Sequence, residues 1–178
     1  MIKYQGSVFQ LPAFKQARIN YPFLNNYVDA FKAYWLEGYH PHIGKDIATA
    51  RPNPPEGHRH AHLIPSDGFP TDNGYKSSKI CWDKWQKADI DIAMFFNTND
   101  IPTSEHGIFY AVDIKRNAYL FHYQATDMHA FMKTAKFTDL VVSIENQLYS
   151  EDVELMSIYE QNELFKSDWQ VASNDDNF

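Results

Sequence analysis

GIFYAVDI at residues 107–114 and AYLFHYQ at residues 118–124 are two β-rich runs separated only by Lys115, Arg116 and Asn117. Two such runs joined by so short a connection are typical of a β-hairpin. The sequence therefore predicts an antiparallel pair of strands over this part of the chain.

Three segments before the hairpin also have strand character. Residues 2–11 alternate loosely between apolar and polar side chains, HRHAHLI at 58–64 alternates more strictly, and IDIAMFFN at 90–97 is a β-rich run. Runs of this length, bounded by residues that favour turns, are typical of strands. We expect them to extend the hairpin into a sheet.

Two segments have the apolar periodicity of helices. Apolar residues recur at spacings of three and four over residues 23–35, and this pattern ends near Gly38. A second apolar stripe covers residues 128–148 and follows a possible capping residue, Thr126 or Asp127. The order of strand, helix, strands and helix predicts an α+β fold, in which helices pack on a small antiparallel sheet of 4–5 strands.

Length and composition favour one cytoplasmic domain with an appendage. The 178 residues are 44% hydrophobic, which is enough for a packed core. No run approaches the roughly 18–20 apolar residues that span a bilayer, and the N-terminus lacks the apolar stretch of a signal peptide. Cys81 is the only cysteine, so neither an intrachain disulfide nor a multi-cysteine metal site is expected.

The acidity of the chain is concentrated at its C-terminal end. Residues 148–178 hold eight acidic residues and one basic residue, which accounts for the whole net charge of −7. We therefore divide the chain into a domain over residues 1–150 and an acidic extension over residues 151–178. The extension also contains enough apolar residues to fold back partly on the body. There its carboxylates would compete with nucleic-acid phosphates for basic groups, or the extension would only pack for stability or contact a partner protein.

Three alternating histidines, His58, His60 and His62, would project from one face of a strand. Such a face is compatible with three interpretations. It can be a polar, exposed surface without chemistry, it can supply general acids and bases, or it can bind zinc or another transition metal.

Charged residues elsewhere can be assigned to phosphate binding or to ordinary surface roles. Lys115 and Arg116 at the predicted hairpin would either hold a scissile phosphate or be solvated in the turn. His129 lies in the first turn of the last predicted helix, where it can act as a base near neutral pH or be a partly buried structural residue.

Trp82 and Trp85 are interleaved with lysines, among them Lys84. This mixture can stack on bases and neutralise phosphates, although such tryptophans more often pack in a core. The chain has no Walker loop, no dinucleotide-binding glycine motif and no nucleophile-elbow serine. These absences argue against nucleotide-dependent enzymes and α/β-hydrolases.

Four short motifs resemble the YafO family of type II toxins, within the broader group of RelE-like ribosome-dependent endoribonucleases. They are AYWLEGYHPHIGKD at 33–46, HAHL at 60–63, AVDIK at 111–115, and Met128 with His129. Together these motifs extend over roughly residues 1–140. The resemblance implies a RelE-like fold, cleavage of mRNA on the translating ribosome and neutralisation by a cognate antitoxin protein.

The resemblance also implies the catalytic residues His60, His62, Lys115 and His129. The implied reaction is a metal-independent transesterification without a cofactor, in which the ribose 2′-hydroxyl attacks the adjacent phosphate. His60 or His62 would be the base or the acid and His129 the other, and we expect all four side chains to approach one another. Further contacts to RNA or phosphate are assigned to Arg59, Lys84 and Arg116.

Two other classes of function stay open at this point. The chain can be a non-catalytic regulatory module that binds RNA or protein through the same histidine face. It can also be a metalloenzyme that coordinates its ion through histidines.

Overall fold

The computed structural model describes residues 3–49, 56–66, 68–69, 74–88 and 100–171. The described strands are β1 (Lys3–Tyr4), β2 (Val8–Gln10), β3 (Ile43–Ala48), β4 (His58–Leu63), β5 (Gly107–Val112), β6 (Ala118–Gln124) and β7 (Gln170–Val171). The described α-helices are α1 (Pro12–Asn20), α2 (Leu24–Glu37), α3 (Lys79–Lys87), α4 (Met128–Phe131) and α5 (Ala135–Ser150). The predicted strand at 90–97 lies outside the described residues.

Five strands form the main sheet, in the order β2-β6-β5-β4-β3. All neighbours are antiparallel except β2, which runs parallel to β6. The predicted hairpin is confirmed, because β5 and β6 pair directly across residues 113–117. The predicted α+β class with a small, mostly antiparallel sheet is also confirmed.

The sheet separates two cores, and the alternation of side chains along β4 decides which residue enters which core. Ala61 and Leu63 belong to the core on the α2 side. The rings of His58 and His60 instead face the core on the α5 side, where they lie 5.5 Å from Phe121 and 5.8 Å from Phe109 respectively. All six residues of β4 are buried, so the interpretation of an exposed polar strand face is wrong.

Helix α2 follows its sequence pattern closely. Its apolar stripe is buried, and the helix ends at Gly38, which has a φ of 80° and donates its N–H to the Tyr34 carbonyl. Glycine adopts this left-handed conformation without steric cost, so it terminates the helix cleanly. The preceding helix α1 was not predicted, since Phe14 is its only buried side chain.

The last predicted helix is interrupted. Helix α4 ends after four residues, and α5 begins beyond Thr134, whose hydroxyl accepts a hydrogen bond from the Phe137 N–H. Asp127 precedes α4 but has a φ of 52° and makes no capping hydrogen bond, so the predicted cap is wrong. The real cap lies seven residues later, where a threonine hydroxyl can satisfy an unpaired amide.

The C-terminal extension packs on the body, as predicted, over its described part up to residue 171. Met156 donates its N–H to the Val112 carbonyl, and the side chains of Met156 and Leu164 belong to the core on the α2 side. Strand β7 pairs with β1 and ties the two ends of the described chain together. Within the described residues, no helix is long and apolar enough to cross a membrane.

Candidate active site

Strand β4 and helix α4 bring three histidines together. The ring centroids are 5.3 Å apart for His60 and His62, 5.4 Å for His62 and His129, and 6.2 Å for His60 and His129. One ring nitrogen from each histidine lies within 4.8 Å of the other two. His60 and His62 share a face because strand side chains alternate. His129 reaches the same face from helix α4, which follows β6 in the chain.

The two strand histidines are fixed by hydrogen bonds on their Nδ1 atoms. His62 Nδ1 lies 2.7 Å from the carbonyl oxygen of Ser104 and 3.0 Å from its N–H, so the Ser104 backbone can hold either tautomer. His60 Nδ1 lies 3.5 Å from the Thr49 hydroxyl. In both rings the Nε2 atom is therefore the nitrogen left to face the cluster.

His129 is held by Glu105. Its Nδ1 lies 2.5 Å from one carboxylate oxygen, and its backbone N–H donates to the other oxygen at 3.0 Å. The expected effect of a helix dipole on His129 does not apply, because α4 is only four residues long. The Glu105 carboxylate itself occupies the place near the first amides of α4 that was expected to favour an anion.

Burial keeps the strand histidines neutral at physiological pH. Removal from water, together with repulsion from the neighbouring His62 and His129, lowers the pKa of His60 to about 3. The pKa of His62 falls to about 4, again mainly through burial. The two strand histidines have 4% and 2% of their surface exposed, whereas the side chain of His129 is 46% exposed. His60 and His62 therefore form the floor of the cluster, and His129 forms its rim.

Lys45 on β3 is a cation beside this cluster. Its charge contributes to the lowered pKa of both His60 and His62. Lys45 lies where β3 departs from regular pairing with β4, between the aligned pairs at Ile43 and Asp46. Its side chain is half-buried.

A cleft of about 190 Å³ opens next to the cluster. Its lining includes Ser104 and Glu105, which contact His62 and His129 respectively. The remaining lining is mostly small and polar, with Ser66, Thr126 and Asp127 among its residues. The cleft therefore adjoins two residues that hold the cluster, and none of the three clustered histidines is part of its lining.

Lys115 does not belong to the site, so the predicted approach of Lys115 to the histidines is wrong. His60 is aligned with Phe109 in the β4–β5 register, and Lys115 follows Phe109 by six residues. At about 3.3 Å per residue the strand from Phe109 to its end at Val112 already spans roughly 10 Å, and Lys115 lies beyond that end in the turn. Lys115 is exposed in the hairpin turn at the opposite end of β5.

Arg116 is a structural residue and not a phosphate contact. Its side chain is fully buried, and its guanidinium group donates to the carbonyl oxygens of Leu164, Trp35 and Gln5. The same group lies 4.3 Å from the centre of the Trp35 ring, a cation–π contact. Because all three of its nitrogens donate to backbone carbonyls and its surface is covered, the assignment of Arg116 to RNA binding is wrong.

Arg59 is likewise buried and paired, on the face of β4 opposite the histidines. Its Nε lies 3.1 Å from Asp46 Oδ1, and its Nη1 donates to the Gln161 carbonyl at 3.1 Å. Burial opposes the charge, but the nearby Asp46 and Tyr110 outweigh burial and raise the pKa of Arg59 above its ordinary value. The assignment of Arg59 to phosphate binding is therefore also wrong.

Lys84 is exposed on α3, where its ammonium group lies 5.4 Å from the centre of the Tyr75 ring. The neighbouring tryptophans are buried and donate their indole N–H groups to backbone carbonyls, Trp82 to Thr103 and Trp85 to Ile43. They pack in the core and cannot stack on bases. Lys84 thus loses the aromatic partners that motivated its assignment.

Sequence reasoning missed Lys45, Glu105, Ser104 and Thr49. Lys45 had a signal, because it lies within the motif at 33–46 that resembles the toxin family. The other three had none, since each reaches the cluster from a loop or a strand end distant in sequence. Compared with family models, with curated proteins and with solved structures, the chain has no match. The resemblance to YafO-type toxins therefore stays a prediction.

Proposed function

We propose that this protein is an endoribonuclease that cleaves mRNA on the translating ribosome, as the toxin of a toxin–antitoxin pair. The observation that supports it is the cluster of His60, His62 and His129, with a carboxylate on one member and Lys45 beside the other two. Cleavage of RNA by the 2′-hydroxyl needs a base, an acid and a positive charge near the phosphate, and it does not require a metal ion. The choice of mRNA, of the ribosome and of an antitoxin as partners rests on the family resemblance.

The reaction we propose is an attack by the ribose 2′-oxygen on the adjacent phosphorus. A neutral imidazole of the floor, His62 or His60, accepts the proton of the 2′-hydroxyl through Nε2. The new bond between O2′ and phosphorus forms as the bond to the 5′-oxygen breaks. His129, protonated and paired with Glu105, donates its proton to that departing oxygen, so the products are a 2′,3′-cyclic phosphate and a 5′-hydroxyl.

Lys45 takes the role that Lys115 and Arg116 were expected to have. An ammonium group beside the histidines stabilises the negative charge that develops on the phosphate oxygens in the transition state. The hydrogen bond from His129 to Glu105 fixes the orientation of the ring, as a carboxylate does in other acid–base pairs.

A cleavage assay with purified ribosomes, a defined mRNA and the full chain tests this proposal. Breaks are mapped by primer extension, and the cyclic phosphate is identified on the products. We expect His62→Gln, His129→Gln and Lys45→Met to reduce the cleavage rate by about 100-fold or more, in the range of losing a general acid or base.

Lys115→Met and His122→Gln are matched controls, since each removes the same kind of residue from outside the cluster. Both should cleave at the wild-type rate. If wild-type protein leaves ribosome-bound mRNA intact, the catalytic assignment fails and a non-catalytic binding module becomes the better explanation. If all three cluster variants remain fully active, the site has been placed wrongly.

A further inference from the structure

We propose that His60, His62 and His129 together bind one divalent transition-metal ion of the zinc class through their Nε2 atoms. This inference concerns binding and goes beyond the proposed reaction, which uses no metal. It rests on the geometry of the three rings and on the groups that hold them.

The spacing of the ring nitrogens is close to that of a metal site. Zinc–nitrogen bonds of about 2.0–2.1 Å place two ligands of a tetrahedral ion roughly 3.3 Å apart. The three candidate nitrogens lie within 4.8 Å of one another, so closure requires a contraction of about 1.5 Å or less. His129 can supply this movement, because its side chain is 46% exposed and its helix is four residues long.

The hydrogen bonds on the outer side of each ring are those of ligating histidines. A histidine that binds a metal through one nitrogen usually gives its other nitrogen to a carboxylate, a backbone carbonyl or a polar group. Here Glu105, the Ser104 backbone and the Thr49 hydroxyl occupy these three positions. Each ring thereby keeps its Nε2 for an ion.

Charge and donor type select the class of ion. Three neutral imidazoles favour zinc, cobalt, nickel or copper, whereas magnesium and calcium prefer oxygen donors. Lys45 opposes a cation in the cluster, and the carboxylate of Glu105 offsets that repulsion. Three protein ligands leave a fourth position for water or a small anion on the exposed side of His129, the arrangement of catalytic rather than structural zinc sites.

A bound ion and the metal-free reaction would compete for the same nitrogens. Coordination uses the Nε2 lone pairs of His60 and His62 that the proposed base requires, and it also removes the acid at His129. An ion of this class should therefore inhibit metal-free RNA cleavage.

Cobalt(II) titration of the full chain, after removal of metals, tests the site directly. We expect one ion per chain and the visible absorption of tetrahedral cobalt, which zinc abolishes by displacement and excess magnesium does not. His60→Ala, His62→Ala and His129→Ala should each lose the tetrahedral spectrum, and His122→Gln should keep it. Glu105→Gln, an exposed change that leaves all three ligands in place, should weaken zinc binding by about 10- to 100-fold.

Absence of stoichiometric cobalt binding by the wild-type chain, or unchanged binding by the folded His129→Ala and Glu105→Gln variants, overturns the site. RNA cleavage measured with and without zinc, using a chelator that spares magnesium, keeps the two proposals separate. Inhibition of cleavage by zinc supports both the metal-free reaction and the metal site. A requirement for zinc supports the metal site and overturns the metal-free reaction. If cobalt binds but no RNA is cleaved under either condition, the proposed function fails and the metal site stands.

Discussion

At the scale of single residues, two adjacent cationic side chains have different roles in this chain. Arg116 and Lys115 are neighbours in one turn, yet the first is fully buried and the second is exposed. The reason is that Arg116 has a φ of 61°, which turns its side chain toward Trp35 and away from solvent. The presence of a cationic residue in a predicted turn is therefore weak evidence that it contacts phosphate.

Replacement of the buried arginine tests this structural role. Arg116→Met should lower the free energy of unfolding by about 3 kcal/mol, because three buried carbonyl oxygens lose a charged donor. Urea denaturation followed by circular dichroism measures the loss. Lys115→Met should stay within about 0.5 kcal/mol of the wild type. Equal stability of the two variants would show that Arg116 is not needed for the fold.

His58 predicts a pH dependence of stability. Burial lowers the pKa of His58 from 6.5 to about 4, and its Nε2 has no hydrogen-bond partner among the described residues. A depressed pKa in the folded state means that stability is fully present above pH 6.5 and is lost as the pH falls toward 4. At about 1.4 kcal/mol per pH unit, this residue accounts for roughly 3 kcal/mol of that loss.

The variant His58→Phe checks the prediction. A phenyl ring fills the same space beside Phe121, and the carbonyl of the exposed Glu56 can turn to water when its partner is removed. Urea denaturation at pH 7 and pH 4.5, in the presence of EDTA, should show a smaller acid-induced loss in the variant than in the wild type. Parallel losses in both proteins would mean that folding does not lower the pKa of His58.

At the scale of secondary structure, the break between α4 and α5 positions His129. The apolar stripe over residues 128–148 gave no sign of an interruption, because both sides of the break contribute to the same core. Thr134 begins a new helix and leaves α4 as a separate short turn next to Glu105.

Removal of the cap at Thr134 should loosen this arrangement. Thr134→Ala should cost about 1 kcal/mol of stability, because the Phe137 N–H loses its side-chain acceptor. Thermal unfolding by calorimetry measures the change. Ser143→Ala, an exposed change inside α5, is the control and should be neutral or slightly stabilising. A neutral Thr134→Ala would show that packing alone sets the start of α5.

At the scale of the whole molecule, the acidic extension is part of the core. The carbonyls of Gln161 and Leu164 accept hydrogen bonds from Arg59 and Arg116, two residues that had been assigned to RNA. The backbone carbonyls of the extension thus hold these two arginines inside the fold, and the competition of its carboxylates with RNA phosphates stays a prediction. The boundary drawn at residue 150 coincides with the end of α5, but the packing continues beyond it.

Loss of one buried side chain in the extension tests its contribution. Leu164 is 2% exposed, so Leu164→Ala should lower the free energy of unfolding by about 2–5 kcal/mol through the cavity that it leaves. Tyr159→Ala, at a residue that is 84% exposed, should have little effect. Chemical denaturation distinguishes them, and a truncation after Ser150 should unfold. A stable, folded truncation would mean that residues 1–150 fold without the extension.

Local rules made the fold class and the β5–β6 hairpin predictable from the sequence. The period-two alternation in HRHAHL placed His60 and His62 on one face, since that alternation is a property of any strand. Apolar spacing and Gly38 likewise defined α2. Helix α1 escaped prediction because one buried ring is too weak a periodic signal.

By itself, the sequence determined which side chains share a face, because that depends only on backbone geometry within an element. Tertiary structure alone decided which distant groups meet: Lys45 and Glu105 join the histidines, and Lys115 does not. The distances between these side chains and the histidines depend on the strand register and on the path of the connecting loops. Both are set by how all the elements pack. The burial of Arg59 and Arg116 likewise depends on tertiary structure, because a C-terminal segment folds back and accepts their hydrogen bonds.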